Sequence, residues 1–229
     1  PGASVFCYRS RQIDGRHMTL EATSNLPMTT GRAAKPLIHP RWVRITHWIN
    51  ALAIFMMIGS GWQIYDASPL FRFLYFPSQI ALGEWLAGAL LWHFAAMWLF
   101  VINLIVYIAL GIATGRFRQK LFPIRPRDVW ADLTSALRGK LSHEDLTVYN
   151  AVQRLLYLGV IIAAIVIVLS GLSIWKPVQL KYLTAFFGGY DTARYVHFFA
   201  MASIVAFLAI HISLALLVPK SLRAMISGR

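Results

Sequence analysis

Four histidines, His47, His93, His197 and His211, lie in stretches of sequence that otherwise hold no charged side chain. An ionisable ring inside hydrocarbon is costly to keep, so each is by default a functional residue. Neutral imidazole is the commonest metal ligand among side chains. Two imidazoles on opposite faces of an iron porphyrin leave the iron six-coordinate and suited to electron transfer. His197 and His211 stand fourteen residues apart in one apolar segment. That is almost four helical turns, so both rings leave the same face, ~21 Å apart along the axis. Two ligands on one stripe, near opposite ends of a membrane helix, suit two stacked haems.

The elements that must position these rings follow from hydropathy. The chain has 229 residues, 58% hydrophobic and only 14% charged, with mean hydropathy +0.58, which is a membrane protein's balance. Residues 45–65, 85–114, 155–175 and 195–219 contain no Asp, Glu, Lys or Arg. Each reaches the ~20 residues a bilayer core requires. The predicted fold is an all-α integral membrane protein, a four-transmembrane-helix bundle over 41–221 with spans 45–65, 85–114, 150–175 and 193–219. Residues 1–40 and 222–229 are expected to be cytosolic tails. No apolar stretch precedes Ile45, so no secretory leader is expected. Asp128 to Arg138 reads as a short amphipathic helix and Ser142 to Asp145 as a capping box. Val178 to Phe187 reads as an interfacial helix stopped by Gly188-Gly189, with Asp191 capping the fourth span.

The net charge of +13 could suggest nucleic acid, but its distribution sets topology instead. The N-terminal region, the loop between the second and third spans, and the C-terminal region hold 18 of the 22 Lys and Arg residues. By the positive-inside rule both termini are expected to be cytoplasmic. Arg41, Arg44 and Arg154 on the inside, or Lys176 and Arg194 on the outside, would suit haem propionates. The single cysteine, Cys7, excludes a Cys-x-x-Cys-His attachment and a cysteine-ligated iron-sulfur cluster within this chain. His17, His39 and His143 fall in polar regions and read as surface residues.

Depth pairs the four histidines. His47 is the third residue of the first apolar stretch and His211 the ninth from the inner end of the fourth, so both lie in the inner half. His93 is ninth in the second stretch and His197 third in the fourth, both counted from the outside, so both lie in the outer half. Cross-pairing would span most of the membrane. The third helix brings no histidine and serves as a wall. Two other readings exist: buried histidines bonding between helices, or a metal or proton transporter, which predicts ligands converging near the midplane beside carboxylates. The outer ends of helices one and three both carry a Ser-Gly pair, Ser60-Gly61 and Ser170-Gly171. Such small residues admit either close helix packing or a flat porphyrin.

Arg44-Ile45-Thr46-His47-Trp48, His93, the run from Tyr149 through Asn150 and Gln153 to Arg154, and the His197/His211 spacing together resemble one family. It comprises the di-haem cytochrome b subunits of nickel-iron hydrogenase, formate dehydrogenase and thiosulfate reductase, with related bacterial cytochrome b561 proteins. The resemblance covers residues 40–221. It implies two haem b groups with axial ligands on helices one, two and four, in agreement with the depth pairs His47/His211 and His93/His197. It also implies a quinone site near Asn150, Gln153 and His211. The implied function is electron transfer between the quinone pool and a periplasmic oxidoreductase partner, of molybdopterin or hydrogenase type. The alternative is a self-sufficient cytochrome b561-type quinone oxidoreductase such as a superoxide oxidase. A nucleic-acid partner is not expected.

Overall fold

The computed structural model describes residues 38–137 and 150–228. Their regular structure is helical: α1 (Arg41–Ala67), α2 (Leu86–Ala113), α3 (Arg116–Leu121), α4 (Pro126–Leu137), α5 (Ala151–Trp175), α6 (Lys181–Phe186), α7 (Tyr190–Leu217) and α8 (Pro219–Ser227), with a 3-10 turn at Ser78–Ile80. Helices α1, α2, α5 and α7 have 27, 28, 25 and 28 residues and are long and apolar enough to cross a membrane. Helices satisfy every backbone N–H and C=O within the segment, as a lipid solvent demands. The protein is an all-α integral membrane protein built on a four-helix bundle. The expected helix over 128–138 is α4. His17, His143 and the expected capping box at 142–145 lie outside the described residues.

Helix α1 packs chiefly on α2, and α5 on α7, as two helical hairpins. Ala53 of α1, Phe100 and Leu104 of α2 and Ala164 of α5 form a buried cluster that joins the hairpins. Fully buried Ala53, Ala89 and Ala193 bring backbones close, since in lipid packing rather than hydrophobic burial drives association. Ile45, Leu52, Leu91, Ile102, Ile105 and Leu216 are exposed, which is the lipid-facing surface of such a bundle.

The last span ends earlier than the apolar run suggests. Val218 adopts φ −120° and ψ 77°, because the residue before a proline is pushed out of the α region. Pro219 then opens α8 at its first position, where a missing N–H costs nothing. The expected tail at 222–229 is thus helical through Ser227, with Ala224 buried. Its carbonyl end is held from α1: Arg44 Nε donates to the Met225 carbonyl at 3.3 Å, and the same guanidinium reaches the Ile226 carbonyl. The Ile38 and His39 N–H groups donate to the Gly228 carbonyl at 2.9 and 3.4 Å. A cation beside the last carbonyls of a helix is favourable on dipole grounds too.

At the opposite end of the bundle the interfacial helix is α6, shorter than expected, and it stops where Gly188 takes φ 80° and returns its N–H to the Ala185 carbonyl. Asp191 does not cap α7. Gly189 is the N-cap and Asp191 sits in the first turn, where its charge still meets the positive helix end. Replacing Arg44 with alanine is expected to leave the four spans intact but release α8, seen as faster amide hydrogen exchange confined to residues 219–228.

Candidate functional site

The four membrane histidines meet in two pairs. The ring centres of His47 and His211 are 6.0 Å apart with an interplanar angle of 62°. Those of His93 and His197 are 6.5 Å apart at 61°. These are the pairs that depth alone selects. Helix α7 supplies one ring to each, so its two histidines join two different helices of the other hairpin.

The separations test whether a porphyrin iron fits. A metal–imidazole bond of about 2 Å, extended by roughly 1 Å from nitrogen to ring centre on each side, puts two trans-axial rings about 6 Å apart. Both pairs have that spacing. Among the described residues no cluster of three or more His, Cys, Asp or Glu side chains is present.

The hydrogen bonds of the His93/His197 pair also suit ligation. Nδ1 of His197 lies 3.0 Å from the Ile167 carbonyl and 3.2 Å from Ser170 Oγ. A carbonyl only accepts, so Nδ1 carries the proton and the Nε2 lone pair is left for a metal. Nδ1 of His93 lies 3.0 Å from Ser60 Oγ, and the Met57 backbone also bonds to this ring. Ser60 Oγ gives its own hydrogen to the Met56 carbonyl at 2.7 Å, so it accepts from Nδ1 and again frees Nε2. Ser60 and Ser170 are wholly buried.

A Cβ added at Gly61 would stand 3.5 Å from His93 Cε1, and one at Gly171 would stand 3.2 Å from His197 Cε1. Each Ser-Gly pair therefore lets the ligand ring of the neighbouring helix lie against the backbone.

The His47/His211 pair is held differently. His211 stacks on Phe207 at 5.6 Å and 12°, and Trp48 meets His47 edge-on at 5.3 Å. Asn103 of α2 donates to the Thr46 carbonyl at 2.8 Å and to Asn50 Oδ1 at 2.6 Å, on either side of His47 in α1. Sequence reasoning missed both asparagines because it searched the apolar stretches for ionisable groups. Their signal was an amide in a segment with no other reason to be polar.

Asn150 and Gln153, the candidates for a quinone, form a reciprocal capping box at the start of α5. Gln153 N–H donates to Asn150 Oδ1 at 2.7 Å, and Asn150 N–H to Gln153 Oε1 at 3.2 Å. The Ala151 N–H donates to Asp132 Oδ2 of α4 at 2.6 Å. The oxygens of both amides thus serve the helix end. Of the arginines suited to propionates, three hold backbone carbonyls: Arg44 on α8, Arg154 on Pro123 at 3.0 Å and Arg194 on Ser68 at 2.5 Å.

His39 is not the surface residue its polar context suggests. It is only 9% exposed, and its Nδ1 lies 3.4 Å from Arg116 Nη2. A guanidinium only donates, so this Nδ1 is bare and the proton sits on Nε2, the reverse of His93 and His197. Burial first, then the charges of Arg116, His47, Lys120 and Arg44, hold its pKa down at about 4.

A sequence profile described as prokaryotic cytochrome b561 matches residues 38–228. The chain belongs to that family. A relative from Azospira oryzae is 52% identical over 191 residues, covering 83% of this chain and 96% of its own, and carries the provisional name protein-methionine-sulfoxide reductase subunit YedZ1. The cytochrome b561 family binds haem b in the membrane and carries electrons. This cytochrome b561 chain is accordingly a multi-pass bacterial membrane protein whose implied cofactor is haem b, and its paired imidazoles are a donor set that suits it.

Two outcomes follow. Gly171→Ala is expected to displace the His197 ring and lower the haem content of the purified chain, with Gly61→Ala milder because its contact is looser; pyridine haemochrome assay measures both. For His39 the unfolded chain takes up its proton near the ordinary histidine value of 6.5 and the folded chain only at about 4. Between those values the unfolded state binds more protons, so this residue makes stability rise with pH over that window and adds no slope above it. His39→Gln should flatten that part of the melting temperature profile.

Proposed function

We propose that this chain is a di-haem cytochrome b subunit that carries electrons between the membrane quinone pool and a periplasmic oxidoreductase partner. The observation that supports it best is the pair of ring separations, 6.0 and 6.5 Å, repeated at two levels of one bundle. Bound haem b would supply reversible one-electron chemistry at iron. His47 and His211 would hold one group and His93 and His197 the other, with Ser60, Ser170 and the Ile167 carbonyl keeping Nδ1 of the second pair protonated. The basic loops favour an orientation with the His47/His211 level towards the cytoplasm and the termini inside. Residues 1–40 remain the proposed cytosolic tail, and 41–221 the di-haem membrane domain.

At the His47/His211 level a quinone headgroup would lie against Asn150, Gln153 and His211. The two amides would donate hydrogen bonds to its carbonyl oxygens, and oxidation of a quinol there would release two electrons and two protons. The relative's name makes it a subunit of a reductase. We therefore favour passage from quinol outward to a periplasmic reductase, of molybdopterin type, over the inward direction. The word subunit likewise favours a partnered chain over a self-sufficient superoxide oxidase.

The purified chain should carry two haem b, and His47→Ala and His93→Ala should each remove one. A count of one, or no loss in either variant, would falsify the pairing. With quinol in proteoliposomes, Asn150→Ala and Gln153→Ala should slow haem reduction several-fold and weaken inhibitor binding. Unchanged rates in both would remove these residues from the quinone site, and absence of charge movement during turnover would contradict a site at the His47 level.

A further inference from the structure

Asn103 is a primary amide at a depth where hydrocarbon offers it no partner. It lies in α2, ten residues beyond His93, and is 6% exposed. Its NH2 group has two hydrogens, and both are used on α1: one on the Thr46 carbonyl at 2.8 Å, the other on Asn50 Oδ1 at 2.6 Å. Thr46 immediately precedes His47, and Asn50 follows it by three residues on the same helix face. The two bonds thus bracket the ligand.

Thr46 is itself 4% exposed, with its hydroxyl turned back on the Trp42 and Val43 carbonyls at 2.8 and 3.1 Å. It therefore offers Asn103 only its backbone oxygen. Leucine would serve mere packing here at no desolvation cost, whereas a buried amide is tolerated only when it is paired. Helix α2 gives no ring to the His47/His211 pair, which α1 and α7 supply. Asn103 brings a polar side chain of α2 to the backbone beside His47.

We propose that Asn103 is a positioning residue for the His47/His211 pair. Its two hydrogen bonds set the rotation and depth of α1 at His47, so that this ring faces His211 across the thickness of a porphyrin. Helix α1 is then clamped to α2 at both levels, by Ser60 on His93 at one end and by Asn103 around His47 at the other. This role rests on the di-haem reading.

The test uses the full-length, haem-loaded chain in detergent, with optical redox titration and low-temperature EPR, whose low-spin g-values sense axial ring geometry. Asn103→Leu should shift the midpoint potential and g-values of one haem and leave the other unchanged, and the affected haem should be the one that His47→Ala removes. Asn50→Ala, which takes away one of the two acceptors, should shift the same haem by less, and it carries the test if Asn103→Leu does not accumulate. Both haems unchanged, both disturbed alike, or the disturbance falling on the haem that His93→Ala removes would each overturn the role. If His47→Ala removes no haem, the ligand assignment itself is wrong, a failure separable from any effect of Asn103.

Discussion

The spacing between two imidazole rings is a constraint that neither helical hairpin can meet alone. His47 and His93 belong to the α1–α2 hairpin, His197 and His211 to α7, so each pair of facing rings forms only when the two hairpins associate. Helix α7 contributes to both pairs, so its rotation and depth are fixed twice over by one rigid body. The buried contact of Ala53, Phe100, Leu104 and Ala164 then sets the approach of the hairpins between the two levels.

Each level solves the orientation problem with different chemistry. At the His93/His197 level, serine hydroxyls and backbone carbonyls take the Nδ1 proton directly, and glycines let the rings lie flat on the neighbouring helix. At the His47/His211 level, Phe207 stacks on one ring and an amide from α2 grips the backbone beside the other. Interhelical hydrogen bonds in membranes contribute roughly 0.6 to 2 kcal/mol each. Their value here lies in direction more than in stability, since the ring must present one particular nitrogen. Ligand histidines elsewhere depend on such outer partners in the same way.

The spans and the meeting of four histidines in two pairs were legible because charge-free runs and isolated ionisable groups are the strongest signals a membrane sequence carries. Depth counted from the ends of those runs was enough to join His47 with His211 and His93 with His197. What stayed hidden depends on partners far away in sequence. Residues 222–229 look like a polar tail until Arg44 is found holding the Met225 and Ile226 carbonyls. The Ser60 and Ser170 hydroxyls look merely helical, bonding back to Met56 and Val166, and their second bond to a ring depends on which helix lies alongside. Asn103 carries no charge, so a search for ionisable groups passes over it, although its desolvation cost in lipid is still considerable. His39 looked exposed because its neighbours in sequence are polar, yet Arg116 and the Gly228 carbonyl enclose it.

The mounts of His93 and His197 are copies of one pattern. Met57, Ser60 and Gly61 face the first ring, and Ile167, Ser170 and Gly171 face the second, at identical spacing and 110 residues apart. Each mount is complete within its own hairpin, so the direction in which each ring presents Nε2 is a property of one hairpin, and only the distance between the two rings depends on how the hairpins associate.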